Sequence, residues 1–283
     1  MSSVAPRFAF IRLPRVEPAV IAGAVAFVAV CALIALSPAL APYGPADQDL
    51  MARLEGPSAA HWFGTDNFGR DILSRVLWGS RLSLVIGLGA TACGLLVGGA
   101  LGIWAGYKGG WVDALVMRLI DVLLSFPSFI LCLLIVAVMG PGVGVLIGAI
   151  GASLVPKFAR VARSSAMAIG RREFIDACRT MGASDLRIML RHVTPNVAGE
   201  LLVMGSLWTA NAILIEASLS FLGLGIRPPA PTLGGMMLEG LNVLHEAPWL
   251  TLFPGTAIFL YVLLLNVIGD RVRDAVDPRL RDV

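Results

Sequence analysis

A polar, arginine-rich segment, Arg171–Asn196, lies between two apolar stretches and carries side chains suited to binding a partner. It divides at Gly182 into two short stretches with apolar residues at helical spacing. These residues are Phe174, Cys178 and Met181, then Leu186, Met189, Leu190 and Val193. A loop that only joins two helices needs about four residues, and an apolar face outside a membrane needs a cover. We expect a docking site for a soluble partner, although helices lying on the membrane surface would show the same pattern.

Polar residues inside apolar stretches are the second group of candidates. Ionisable groups within a membrane are costly and often functional, so Glu216 and Asn211 are candidates for lining a transport pathway. Helix packing or a position at the outer interface would explain Glu216 equally well. Asp121 is expected to pair with Arg118, which lies one turn earlier.

The sequence predicts no catalytic, metal or cofactor site. The four cysteines form no CxxC pair, the three histidines are far apart, and HExxH and GxSxG motifs are absent. A P-loop needs Gly-Lys followed by Ser or Thr, but the only two lysines, Lys108 and Lys157, follow Tyr and Pro. The chain is expected neither to hydrolyse ATP by that route nor to act as a membrane enzyme, and no nucleic-acid partner is expected.

The elements that position these residues are predicted to be membrane helices. The 283 residues are 57% hydrophobic and only 14% charged, whereas soluble domains carry about 25% charged residues. An all-α integral membrane protein with lipid contacts follows, because each span needs about 20 apolar residues. Six spans are predicted: Ala19–Leu36, Leu82–Ala105, Leu119–Met139, Val143–Ala162, Val197–Ala217 and Pro248–Ile268. The first is expected to be a retained anchor, since it is longer than a signal-peptide core.

The basic residues predict the orientation. With the N-terminus inside, 17 of the 22 Lys and Arg residues fall on cytoplasmic segments and 5 on outer ones, as the positive-inside rule requires. This gives a cytoplasmic N-terminus (1–18), a six-span domain (19–268) with an outer loop at 37–80 and a cytoplasmic loop at 163–196, and a cytoplasmic tail (269–283). Lys157, Arg160 and Arg163 are expected to anchor a span end at lipid headgroups.

Two glycine ladders indicate close helix contacts. Gly94, Gly98, Gly102 and Gly106 recur every four residues, and Gly140, Gly144, Gly148 and Ala152 repeat the pattern. Small residues at this spacing let helix backbones approach in lipid. Tight packing is the expected role, with a smooth pore wall as the alternative.

Local signals suggest a rigid loop at 171–196. Gly182 is expected to supply a turn that a side chain would disfavour. Ser184 and Asp185 are expected to cap the second short helix, and Thr194-Pro195 to begin the fifth span. The docked partner is expected to bury Phe174, Ile175, Met181 and Leu186, with Glu173, Asp176, Arg179 and Arg187 setting orientation.

The same loop resembles the EAA loop of permease subunits of ABC importers. Asp176-Ala177-Cys178 and Gly182 occupy the places of Glu-Ala-Ala and the following Gly, while only Pro195 of the family's closing Ile-x-Leu-Pro is kept. Four further stretches resemble the dipeptide/oligopeptide/nickel importer branch in its shorter, second-subunit form: 61–84, 106–129, 216–237 and 269–281.

The resemblance implies a type I ABC importer permease fold in the bacterial cytoplasmic membrane. It implies a homologous permease subunit, two ABC ATPase subunits and an external solute-binding protein as partners. The loop residues Glu173, Phe174, Asp176, Ala177, Cys178, Arg179, Met181, Gly182 and Leu186 would then couple ATPase motion to the spans. The alternative hypothesis is a stand-alone, ion-driven secondary transporter.

Overall fold

Helices dominate the structure because a backbone in lipid must satisfy its own hydrogen bonds. A computed structural model describes residues 18–276. Residues 1–17 of the predicted N-terminal segment (1–18) and residues 277–283 of the predicted tail (269–283) lie outside the described residues. The helices are α1 (Pro18–Leu36), α2 (Ile72–Lys108), α3 (Gly110–Leu124), α4 (Ser128–Met139), α5 (Val143–Gly170), α6 (Glu173–Thr180), α7 (Asp185–Ile188), α8 (Thr194–Phe221), α9 (Leu233–Leu241) and α10 (Trp249–Val276). The all-α prediction is confirmed.

Within residues 18–276, five helical segments are long and apolar enough to cross a membrane. They contain α1, α2, α5, α8 and α10. Helices α3 and α4 satisfy the same criterion as a pair, which gives a sixth crossing. The predicted number of spans agrees with this upper count.

The third predicted span, Leu119–Met139, is not one straight helix. The chain bends by 83° between α3 and α4, and Pro127 stands immediately before α4 with extended backbone angles. Proline disfavours helical angles at the residue before it, so the helix ends at Leu124 and restarts after Pro127. By contrast, Pro156 does not interrupt the fourth span, because α5 continues past it to Gly170.

Helix α2 packs along α5 through the first glycine ladder. A Cβ built on Gly94, Gly98, Gly102 or Gly106 would lie 2.7–3.1 Å from a Cβ atom of α5. The four α5 partners are Leu154, Phe158, Ala162 and Ala166, which also recur every four residues. The two rows therefore interlock between parallel helices, and the backbones touch where the α2 side chains are missing.

The second glycine ladder does not take part in such a contact. A Cβ at Gly140, Gly144 or Gly148 would meet no atom within 4 Å among the residues that the structure describes. The close approach predicted for this ladder is therefore not made within the described part of the chain. Helical spacing alone does not show which side of a helix faces a neighbour.

The main apolar core surrounds α5. Leu146, Ile150, Leu154 and Phe158 are each 0% exposed and pack against residues of α2, α4 and α8. A second core, which contains Ile72, Leu233 and Leu250, joins the start of α2 to α9 and α10. Helix α2 takes part in both cores and, at about 1.5 Å per residue, is about 55 Å long.

These contacts predict opposite responses to adding a methyl group at the two ladders. Gly98→Ala forces a Cβ against the backbone of α5 at Val155 and should lower stability by about 1–3 kcal/mol. Gly148→Ala meets open space and should leave stability unchanged or raise it by up to about 1 kcal/mol, because alanine favours helix. The melting temperature of the detergent-solubilised chain measures both, and equal shifts would contradict the packing described.

Candidate functional site

The loop between α5 and α8 is a helix–turn–helix with a defined turn. Helix α6 ends at Thr180, and Gly182 has a φ of +78°. The Gly182 amide donates to the Arg179 carbonyl at 2.9 Å, and the Ala183 amide donates to the Cys178 carbonyl at 3.1 Å. This pair of bonds is a Schellman motif, which requires a residue with positive φ. Glycine is therefore required at the place where the sequence predicts the turn.

One apolar side of the loop holds it against the membrane helices. Ile175, Ile188 and Val193 are each 0% exposed and belong to the main core. The expectation that a partner would bury Ile175 is wrong, because the protein's own core already covers it. Residues one apart on a helix point in different directions, so Phe174 and Ile175 have different surroundings.

The opposite side of the loop is open. Phe174 is 41% exposed, Leu186 60% and Met181 78%. Leu190, in the π turn Met189–Val193 that follows α7, is also exposed. The loop thus combines a buried apolar side, which fixes its position, with an exposed apolar side, which no described residue covers.

Contacts with the end of α2 fix the second short helix. The Lys108 ammonium and the Tyr107 hydroxyl both donate to the Asp185 carboxylate, the latter at 3.0 Å. Ser184 occupies the N-cap position of α7 but makes no capping hydrogen bond, so the predicted cap is wrong for this residue. Asp185 instead connects the loop to α2.

Charged residues of α6 complete the loop surface. Arg179 lies over the Tyr107 ring, 5.5 Å from its centroid, and donates to Asp176 at 2.9 Å. Glu173 and Ala177 are exposed, and Cys178 lies 3.8 Å from Nε2 of His192.

The fifth span begins differently from the prediction. Thr194 has helical backbone angles and makes no cap, because the π turn before it already continues the helical path from α7. The loop therefore joins α8 without a break. A displacement of α7 would be transmitted directly to this span.

Two basic residues in the second half of α5 bind acids of α3. Arg163 donates to both carboxylate oxygens of Asp113, and Arg160 donates to Asp121 at 2.8 Å. The expected Asp121–Arg118 pair is wrong, since the partner of Asp121 comes from α5. Arg160 and Arg163 connect helices in addition to any contact with headgroups.

The two pathway candidates on α8 have different environments. Glu216 is 0% exposed, and its carboxylate accepts hydrogen bonds from Ser83 at 2.6 Å and Ser220 at 2.7 Å. It lies between α2 and α8, away from the surface. Asn211 is half-buried, and its side chain makes no hydrogen bond to any residue in the range 18–276. Asn211 is thus the more accessible of the two.

Sequence reasoning missed a buried ion network at the start of α2. Arg70 and Arg75 are 3% and 2% exposed, and both approach the carboxylates of Asp66 and Glu239. The closest pair joins Arg70 Nε to Asp66 Oδ2 at 2.6 Å. The sequence offered one signal for this network, a set of charged residues at the start of an apolar helix: Asp66, Arg70 and Arg75, spaced four and five residues apart. Their partner on α9 is 164 residues beyond Arg75 and could not be identified from spacing.

The network and the N-cap of α2 fold residues 37–71, the part of the predicted outer loop (37–80) that precedes α2, onto α2, α9 and α10. Asp71 accepts hydrogen bonds from the Ser74 amide at 2.8 Å and pairs with His61 at 3.0 Å. Gly69 has a φ of +69°, and a side chain there would overlap the backbone of Asp49. The predicted outer loop is therefore an ordered cap. Its exposed apolar residues include Trp62 and Met51.

Removing the central charge of this network should destabilise the protein. Asp66→Asn leaves two buried guanidinium groups with only Glu239 as a counter-ion and should cost about 3–5 kcal/mol. Glu246→Gln, an exposed change near the same end of the molecule, should cost less than about 0.5 kcal/mol. Thermal unfolding in detergent measures the difference. Similar melting temperatures for the two variants would contradict the role given to Asp66.

Comparisons with known proteins agree with this architecture. Residues 98–282 match the family described as "Binding-protein-dependent transport system inner membrane component". The dipeptide transport system permease protein DppC of Alkalihalophilus pseudofirmus is 43% identical over 250 residues, covering 88% of this chain and 82% of the relative. The glutathione transport system permease protein GsiD of Pectobacterium atrosepticum is 43% identical over 227 residues, covering 80% of this chain and 75% of the relative.

The fold is also similar to that of a solved transporter. A chain of the MetNI methionine ABC transporter, in an inward-facing conformation, superposes with a TM-score of 0.58. The match covers 72% of this chain and 97% of that chain at 18% identity. The suspected family and the type I importer fold are confirmed, and the hypothesis of a stand-alone secondary transporter is disfavoured. The chain belongs to the family of binding-protein-dependent transport system inner membrane components and is a membrane-spanning permease subunit of an ABC importer.

Proposed function

We propose that this permease subunit moves small peptides or related solutes and takes its energy from ATPase subunits that dock on the Arg171–Asn196 loop. The names of the relatives, which specify dipeptide and glutathione transport, support this class of solute. The observation that carries the docking proposal is the exposed apolar side of a loop whose other side is anchored in the core. Burying one such side chain contributes about 1.5–3 kcal/mol.

The coupling route runs from the loop into three membrane helices. The Lys108–Asp185 ion pair joins α7 to α2, and the continuous helical path joins α7 to α8. Ile175 and Ile188 insert into the core around α5. A displacement of α6 and α7 would therefore be transmitted to α2, α5 and α8 together. A stiff element of this kind can convert partner motion into a change between two arrangements of the spans.

The remaining partners follow from the proposed function. A homologous permease subunit would complete the translocation pathway, and an external solute-binding protein would deliver cargo on the side of the outer cap. The distribution of basic residues supports a cytoplasmic position for the loop and both termini. The ordered cap at residues 37–71 then lies outside.

Docking predicts that a charge on the open side of the loop removes ATPase binding without unfolding the permease. Met181→Asp, at a residue that is 78% exposed, should reduce recovery of the ATPase subunits at least tenfold, since a charge would be buried at the contact. Met51→Asp, at a residue that is 92% exposed on the outer cap, is the matched control. Co-purification from membranes measures both. Undiminished recovery with Met181→Asp would contradict the docking proposal.

The proposed orientation predicts labelling from opposite sides. In a variant whose four native cysteines are replaced, Met51→Cys should react with a membrane-impermeant maleimide in intact spheroplasts. Met181→Cys should react only after the membrane is permeabilised. Both thiols are exposed in the structure, so labelling after permeabilisation controls for access. The reverse pattern would overturn the orientation.

A further inference from the structure

Lys157 is a cation placed well inside a membrane-spanning helix. It lies fourteen residues after Val143, the first residue of α5, which corresponds to about 21 Å along the helix axis. The hydrocarbon core of a bilayer is about 30 Å thick. A charge at such a depth is costly and marks a functional site by default.

The ammonium of Lys157 has no acidic partner among the described residues. The next two cations along α5 differ in this respect, because Arg160 pairs with Asp121 and Arg163 with Asp113. Lys157 instead lies over the ring of Trp208 on α8, with Nζ 3.9 Å from the ring centroid. The ring attracts the charge but offers no oxygen to the three N–H donors. No oxygen from the described part of the chain accepts a hydrogen bond from them.

Lys157 contacts Trp208, and Asn211 lies one turn further along α8; these three residues are here called the polar strip. Trp208 and Asn211 are three residues apart and so share a face of the helix. Both are half-buried, as is Lys157. The amide of Asn211 likewise has no hydrogen-bond partner within the part of the chain that the structure covers. Glu216, whose oxygens are bonded to serines, projects toward α2 and leaves this strip without a negative charge.

We propose that Lys157, assisted by Asn211, binds the carboxylate of the solute as it crosses the membrane. The inference rests on the proposed function, in which the solute is a small peptide or a related compound with a free carboxylate. A carboxylate supplies the acceptor oxygens that the ammonium lacks and forms a charge-assisted hydrogen bond with it. Lipid phosphate is the other source of such oxygens, and the comparison of a peptide acid with its amide distinguishes the two.

The test compares two peptides that differ in this one group. The complete importer, with its ATPase subunits and binding protein, is reconstituted in vesicles. Uptake of alanyl-alanine is compared with uptake of its C-terminal amide. Because the same binding protein serves every variant, its own preference cancels when the acid-to-amide ratio is compared between variants. ATP hydrolysis without solute shows whether each variant is folded and assembled.

Lys157→Met should lower uptake of alanyl-alanine at least about tenfold. It should change uptake of the C-terminal amide by less than about twofold, because hydrogen bonds to charged groups are stronger than those between neutral groups. Lys157→Arg should restore the preference for the acid. Arg81→Met is the control, since it removes another cation that lies over a tryptophan, Trp78, at the exposed outer part of α2.

Two results would overturn the inference, and they differ in what else they affect. Equal loss for the acid and the amide in Lys157→Met would assign Lys157 to packing or to lipid and would leave the proposed function intact. Uptake of neither peptide by the unaltered importer would overturn the peptide class of solute, and the inference with it.

Discussion

The contact between α2 and α5 is the constraint on which the rest of the structure depends. The glycines at 94, 98, 102 and 106 let the two backbones meet, and the α5 residues spaced four apart fill the row between them. In lipid no hydrophobic force drives helices together, so van der Waals packing of this kind must supply much of the association. Because the contact extends over about three and a half helical turns, α2 and α5 are expected to move as one body.

Helix α2 then connects the two ends of the molecule. At its start, the buried arginines at 70 and 75 join the outer cap to α9. At its end, Lys108 and Tyr107 hold α7 through Asp185. A single helix of 37 residues therefore links the surface proposed to receive solute with the loop proposed to receive ATPase motion. Ion pairs at both ends fix the positions of these surfaces relative to the membrane helices.

The sequence predicted the spans and the turn of the loop because these depend on local properties. Apolar length identifies a membrane helix, and a glycine between two amphipathic stretches identifies a turn with positive φ, as at Gly182. The sequence could not predict which face of a helix meets which neighbour. Hence Ile175 is predicted on the docking side but lies in the core, and Asp121 is predicted to pair on its own helix but pairs with Arg160 of α5.

The ion pairs that the sequence did not predict correctly share one physical cause. Ion pairs such as Asp121–Arg160 and Arg70–Glu239 depend on the arrangement of helices, which spacing along one helix does not contain. The bend at Pro127 is an intermediate case. The proline was visible, but a proline also occurs within the unbroken helix α5, and only packing distinguishes the two outcomes.

The central claim is that the exposed side of the loop contacts an ATPase. The most direct measurement is photo-cross-linking of the assembled importer with a photoreactive phenylalanine at Leu186 or Phe174, both exposed in the structure. The account predicts that the major adduct is an ATPase subunit and that the same probe at Ile188, which is buried, gives none. Adducts with lipid alone at both exposed positions, throughout the ATP hydrolysis cycle, would contradict it.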